Sequence, residues 1–267
     1  VSSQPVTFVQ ISDTHFGPTP GYARHGKVAL PAVQRLVDTI NSLPVAPDFV
    51  VHTGDVVTAP DPASYALAAE TLGELRVPCY YVCGNHDDPA AIQAALRMGP
   101  KQDLITDPET LSYAFEVKGV RFLVFDTHGP ADIDPHGILA AAQLAVLRKE
   151  AQHTGPPLVI FWHHPILAMD SPWMDSNMLT LNGEEVHQAL LPARERIRAV
   201  FYGHVHQSLQ TLRDGILYVA AGSSFAQFSS WPTDETVGYV PEEMPAYNFV
   251  RVWPDRIMIR QHRVSAL

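Results

Sequence analysis

A chain of 267 residues, 46% apolar and 17% charged, can bury a substantial core, reads as a single domain over 1–267, and excludes a disordered or low-complexity protein. A formal net charge of −10 lacks the basic footprint that a nucleic-acid polymer requires. It leaves small anionic substrates open, because bound cations can reverse the field inside one pocket. No stretch approaches the ~18 uninterrupted apolar residues of a membrane helix, and Val1–Pro5 lacks the basic start and long apolar run of a signal peptide. Cys79 and Cys83 fall on one predicted strand, about 13 Å apart and unable to pair with each other. The expectation is therefore a reducing, cytoplasmic setting with no membrane association.

Val6 to Ile11 is a short apolar run without helical period, as in a strand buried on both faces. Leu30, Val33, Val37 and Ile40 recur at helical spacing until Pro44. Phe49 to His52 predicts a second strand, and Asp61-Pro62 a helix start with Tyr65, Ala68, Leu72 and Leu75 inward. Pro78 to Cys83 predicts a third strand, and Asp88-Pro89 a helix with Ile92 and Leu96 inside. Leu111 to Val117 and Val120 to Phe125 flank Lys118-Gly119 as a hairpin. A helix around Ala140 to Ala151 precedes strands at Leu158 to Trp162 and Ala199 to Tyr202. Ile216 to Ala220, Tyr247 to Trp253 and Arg256 to Arg260 read as a meander separated by turns. The fold class is α/β, with two mixed sheets packed as a sandwich and flanked by helices.

Five predicted strand ends carry metal-binding groups: Asp13-Thr14-His15, Gly54-Asp55, Gly84-Asn85-His86-Asp87, His163-His164 and Gly203-His204-Val205-His206. Sites in open α/β sheets form beyond the carboxyl ends of strands, so these segments can converge on one crevice. On an extended backbone, Asp-x-His and His-x-His put both side chains on one side, and each pair can clamp one ion. Imidazole, carboxylate and one amide oxygen suit manganese, iron or zinc rather than a thiolate site or a calcium cage.

The ordered set Asp-x-His, Gly-Asp, Gly-Asn-His-Asp, His-His-Pro and Gly-His-x-His resembles the calcineurin-like metallophosphoesterases, with their layered αββα fold. Ile11-Ser-Asp-Thr-His15, Gly84-Asn-His-Asp-Asp88, His163-His-Pro165, Ala221-Gly-Ser-Ser224 and Gln227-Phe228 are similar to class III cyclic nucleotide phosphodiesterases and their glycerophosphodiesterase relatives. The resemblance implies two transition-metal ions: one on Asp13, His15 and His206, the other on Asn85, His163 and His204, with Asp55 bridging. It further implies in-line attack by a bridging hydroxide on a small phosphodiester, His86 as general acid, and Asp87 orienting His86.

Other histidines carry weaker expectations. His164 reads as a contact behind the ligands or in the pocket, His52 as a buried partner-bonded ring, and His25, His128 and His136 as loop residues that could line the pocket. His153, His187 and His262 are expected on the surface without a role. Trp173, Met174 and Met178 read as an exposed apolar group suited to a homodimer contact. Two rival readings remain beside the diesterase: a phosphomonoesterase or nucleotidase on the same metal core, and a metal-free scaffold.

Overall fold

The computed structural model describes residues 4–240 and 243–264. Val1 to Ser3, part of the segment from which the absence of a signal peptide was read, lie outside the described residues. The first half of the chain contains β1 (Val6–Ile11), β2 (Ala23–Arg24), β3 (Lys27–Val28), α1 (Ala29–Asn41), β4 (Phe49–His52), α2 (Pro62–Leu72), β5 (Cys79–Tyr81), α3 (Pro89–Ala95) and β6 (Gln102–Asp103). The hairpin β7 (Tyr113–Val117) and β8 (Val120–Val124) follows, then α4 (Ala141–Gln152), β9 (Leu158–Phe161), α5 (Pro172–Asn177), α6 (Gly183–Leu190) and β10 (Ile197–Tyr202). The chain closes with β11 (Gln210–Arg213), β12 (Ile216–Ala220), β13 (Gln227–Ser229), β14 (Gly238–Val240), β15 (Ala246–Val252) and β16 (Ile257–Arg263).

Local chemistry accounts for several boundaries. Asp61 caps α2 by accepting from the backbone N–H groups of Ala63 and Ser64, and Asp88 caps α3 by accepting from Ala91. Each is followed by a proline, whose missing N–H costs nothing in a first helical turn. Lys118 and Gly119 both take positive φ, the twist that a two-residue hairpin turn needs.

A five-stranded sheet runs β16-β15-β1-β4-β5 and a seven-stranded sheet runs β11-β12-β10-β9-β8-β7-β6. In each, the strands that lead into the site are parallel: β1, β4 and β5 in the first, β8, β9, β10 and β12 in the second. The alternation of side chains divides the second sheet between two cores. Phe122, Val159, Phe161, Ala199, Phe201 and Val219 face the first sheet, and Leu123, Ile160, Trp162, Val200, Tyr218 and Ala220 face the other way, with residues of α4, α5 and α6. Between the sheets, the Phe8 ring stacks on Phe49 at 5.1 Å and meets Phe122, Phe161 and Phe201 edge-on. Residues of α1 and α2 join that same core.

The tail departs from the expected meander. Ile216 to Ala220 pairs in parallel with β10, whereas β15 and β16 cross to the other sheet and β15 runs antiparallel to β1. Hydropathy marks these runs as buried strands but carries no register between sheets. Met174 and Met178 are buried in the second core with Trp173 packed against it, so the exposed patch expected there does not exist, and the homodimer reading loses its basis. His187 is also buried: its Nδ1 pairs with the Tyr218 hydroxyl at 2.7 Å and its Nε2 with Asp214 at 2.9 Å. No helix among the described residues is long and apolar enough to cross a membrane.

Because one aromatic ring joins both sheets, Phe8→Ala should lower the unfolding free energy by about 3–5 kcal/mol in urea titration. A loss below about 1 kcal/mol would show that the sheets do not depend on it.

Candidate metal centre

β1, β4, β5, β9 and β10 end at one edge of the sandwich, and the polar residues just beyond them meet there. Four side chains form one group whose ligand atoms lie within 4.8 Å of one another: Asp13, His15, Asp55 and His206. His163, His164 and His204 form a second group by the same measure. His15 Nε2 lies 3.1 Å from His206 Nε2, and His163 Nε2 lies 3.2 Å from His204 Nδ1. Asp55 stands between the groups, with Oδ2 3.6 Å from His15 Nε2 and Oδ1 3.4 Å from His163 Nε2.

The backbone is bent to achieve this. Asp13, His15, Asp55, His204 and His206 account for five of the nine non-glycine residues with positive φ among the described residues. Such conformations are sterically costly for residues other than glycine and collect at functional sites. The segments are therefore not extended, which corrects the expectation for His-x-His: His204 turns to His163 and His206 to His15, so the pair is divided between the two groups. Glycine permits the close approaches. A Cβ on Gly84 would sit 2.2 Å from Asp55 Oδ1, and one on Gly54, whose φ is +99°, would sit 2.3 Å from His163 Nδ1.

Hydrogen bonds aim the rings. His163 Nδ1 donates to the Thr53 carbonyl at 2.7 Å and His206 Nδ1 to the Ala226 carbonyl at 2.6 Å, which turns each Nε2 toward the centre. Asp13 Oδ1 accepts from the His204 N–H, and Asp55 Oδ1 accepts from the His86 N–H. Asp13 Oδ2, Asn85 Oδ1 and His204 Nε2 are buried with no hydrogen-bond partner. Asp134 accepts from Asn85 Nδ2 at 2.9 Å, which fixes the amide with its orphan oxygen as the available donor atom. Buried, unpartnered donor atoms beside crowded imine nitrogens are what cations satisfy, so these residues fit two ions.

Residues 6–208 match the sequence profile described as calcineurin-like phosphoesterase. The chain belongs to that family. Among curated relatives, a 3′,5′-cyclic-nucleotide phosphodiesterase of Nostoc sp. is 24% identical over 94% of this chain and 89% of its own. A glycerophosphodiester phosphodiesterase of Enterobacter lignolyticus is 32% identical over 75% of this chain and 71% of its own. Of solved structures, a dimetal phosphatase from Danio rerio superposes over 98% of this chain and 100% of its own, with TM-score 0.66 at 16% identity, a likeness of fold.

Within this calcineurin-like fold, burial and charge set the protonation of the site. Burial would raise the Asp55 carboxyl, but His163 foremost, then His86 and His15, holds it well below the usual carboxylate range. Burial would lower His163, but the Asp55 carboxylate reverses this and lifts it to about 9. Burial pushes Asp13 up to about 7. It also pushes His15 and His204 well below the ordinary imidazole value, and His206 down to about 3, leaving these rings neutral and able to ligate.

One expectation for the outer residues changes. Asp87 spends its carboxylate on the backbone N–H groups of Val56, Val57 and Gly84, so it braces the loops rather than orienting the His86 ring. The ring is oriented by the Thr58 carbonyl, which accepts from Nδ1 at 2.8 Å. His164 is fully buried, with Nδ1 at 2.9 Å from the Thr127 hydroxyl and Nε2 unpartnered. His52 is the expected bonded core ring, 2.9 Å from the Thr14 hydroxyl. His128 and His136 lie on the loop that carries Asp134, and His136 Nδ1 donates to the Leu179 carbonyl. Sequence reasoning missed Arg24 and Asp134. The signal for the first was the His25-Gly26 pair, both residues at positive φ, closing a two-residue hairpin.

Loading the centre requires a proton to leave His163, at about 9, and Asp13 to ionise, at about 7. Apparent affinity for manganese should therefore rise with pH from about 6 to about 9, with net proton release in calorimetry across buffers of different ionisation enthalpy. Affinity that is flat or falls over that range would contradict this assignment of the ligands.

Proposed function

We propose that the protein hydrolyses small phosphodiesters, of the 3′,5′-cyclic-nucleotide or glycerophosphodiester type, using two transition-metal ions, manganese, iron or zinc. In this reading Asp13, His15 and His206 would hold one ion and Asn85, His163 and His204 the other, with Asp55 shared between them. The observation that carries the reading is Asp55, which directs one carboxylate oxygen toward each group of imidazoles. The names of the relatives supply the substrate class. The buried, unpaired Cys79 and Cys83 support a reducing cytoplasm as its setting.

When bound, such an ion pair supplies Lewis acidity and an activated water. The chain's residues do the rest. The carbonyls of Thr53 and Ala226 keep the His163 and His206 rings aimed inward, and the Gly84 backbone lets Asp55 approach closely. His86 is half-buried at the edge of the site with Nδ1 committed to Thr58, so Nε2 is the atom that can pass a proton to a departing alkoxide. Asp87 acts through the backbone beneath it.

Manganese-loaded protein should hydrolyse bis-p-nitrophenyl phosphate faster than p-nitrophenyl phosphate. Asp55→Ala should reduce turnover to background, and His86→Ala should lower kcat by about 10²–10⁴-fold with metal content kept. Faster turnover of the monoester would point to a phosphomonoesterase. Loaded protein without turnover of either ester, or an Asp55→Ala variant as active as the parent, would overturn the hydrolase reading.

A further inference from the structure

The hairpin β2–β3 carries Arg24 over the metal centre. Its guanidinium Nη1 lies 3.0 Å from His15 Nδ1, Nη2 lies 3.4 Å from His86 Nε2, and Nε lies 3.1 Å from His25 Nε2. All three contacts are imidazole nitrogens, and no carboxylate among the described residues lies within ion-pair distance. Arg121 and Arg213, by contrast, sit on the carboxylates of Glu150 and Glu184, each through two nitrogens. Arg24 is thus a half-buried permanent cation beside the proposed reaction centre, without an anion.

We infer that Arg24 binds the phosphoryl oxygens of the substrate, an assignment that rests on the hydrolase reading above. A guanidinium only donates hydrogen bonds, so the contact with His15 requires a lone pair on Nδ1 and therefore the N–H on Nε2. A neutral His15 that offers Nε2 to an ion carries its N–H on Nδ1, and this cannot accept from Arg24. Metal loading therefore releases Nη1 from His15. The Arg24 backbone stays over the site, because the neighbouring His25 ring stacks on Tyr239 of β14 at 3.7 Å and clasps the two hairpins together. The Nη1 donor so released, on a cation held at the edge of the centre, can meet a phosphate oxygen. It adds a positive charge that favours a dianionic monoester over a monoanionic diester, so the product of diester cleavage should bind more tightly through Arg24 than the substrate does.

The test uses manganese-loaded parent, Arg24→Ala and Arg24→Lys proteins whose metal content is matched by elemental analysis. Calorimetry with inorganic phosphate should give a Kd about tenfold weaker for Arg24→Ala, partly restored in Arg24→Lys. The KM for bis-p-nitrophenyl phosphate should rise by a smaller factor. Unchanged phosphate Kd and unchanged KM in Arg24→Ala would overturn the inference while leaving the hydrolase reading intact. So would a loss confined to thermal stability or metal content, which marks Arg24 as a brace for the hairpin. Parent protein that takes up manganese yet neither binds phosphate nor turns over ester would remove the hydrolase reading and this inference with it.

Discussion

The buried carboxylate of Asp55 is the constraint around which the site is arranged. An ionised carboxylate in the interior is tolerated only where opposite charge and hydrogen bonds compensate for lost hydration. Asp55 obtains this chiefly from His163, and from the His86 backbone N–H, from which its Oδ1 accepts. These partners arrive from strand ends in both sheets, so the sandwich must close before the charge is satisfied. The same closure assembles the donor atoms of both proposed ions.

Rigidity around this centre comes from the residues behind it. The Ser223 hydroxyl donates to the Asp13 carbonyl, the Thr58 hydroxyl donates to the His15 carbonyl, and Phe228 stacks on the His206 ring at 4.3 Å. Left-handed backbone at five of the proposed ligands is held by contacts of this kind. The arrangement spends backbone strain to bring groups separated by more than 190 residues, such as His15 and His206, within hydrogen-bond distance.

The positions of the site residues were legible in the sequence because each follows an apolar run that reads as a buried strand, and because imidazole and carboxylate side chains at such positions have few structural uses. The caps at Asp61 and Asp88 and the turn at Lys118-Gly119 were legible for local reasons: each acts on backbone groups within a few residues. What failed depended on partners distant in the chain. Nothing local tells that Ile216 to Ala220 and Tyr247 to Trp253 belong to different sheets, or that Asp214 and Tyr218 bury His187. The aim of the His86 ring was misread for the same reason, since Asp87 is adjacent in sequence and Thr58 is not. Arg24 escaped notice because it lies on a two-residue strand with no hydrophobic pattern to mark it.

The central claim is that Asp55 joins two cation sites. It is tested most directly by anomalous diffraction from crystals of the protein soaked in manganese. The account predicts two peaks about 3.5–4 Å apart, one on each side of the Asp55 carboxylate, both lost in crystals of Asp55→Ala. A single peak, or peaks that contact neither oxygen of Asp55, would contradict it.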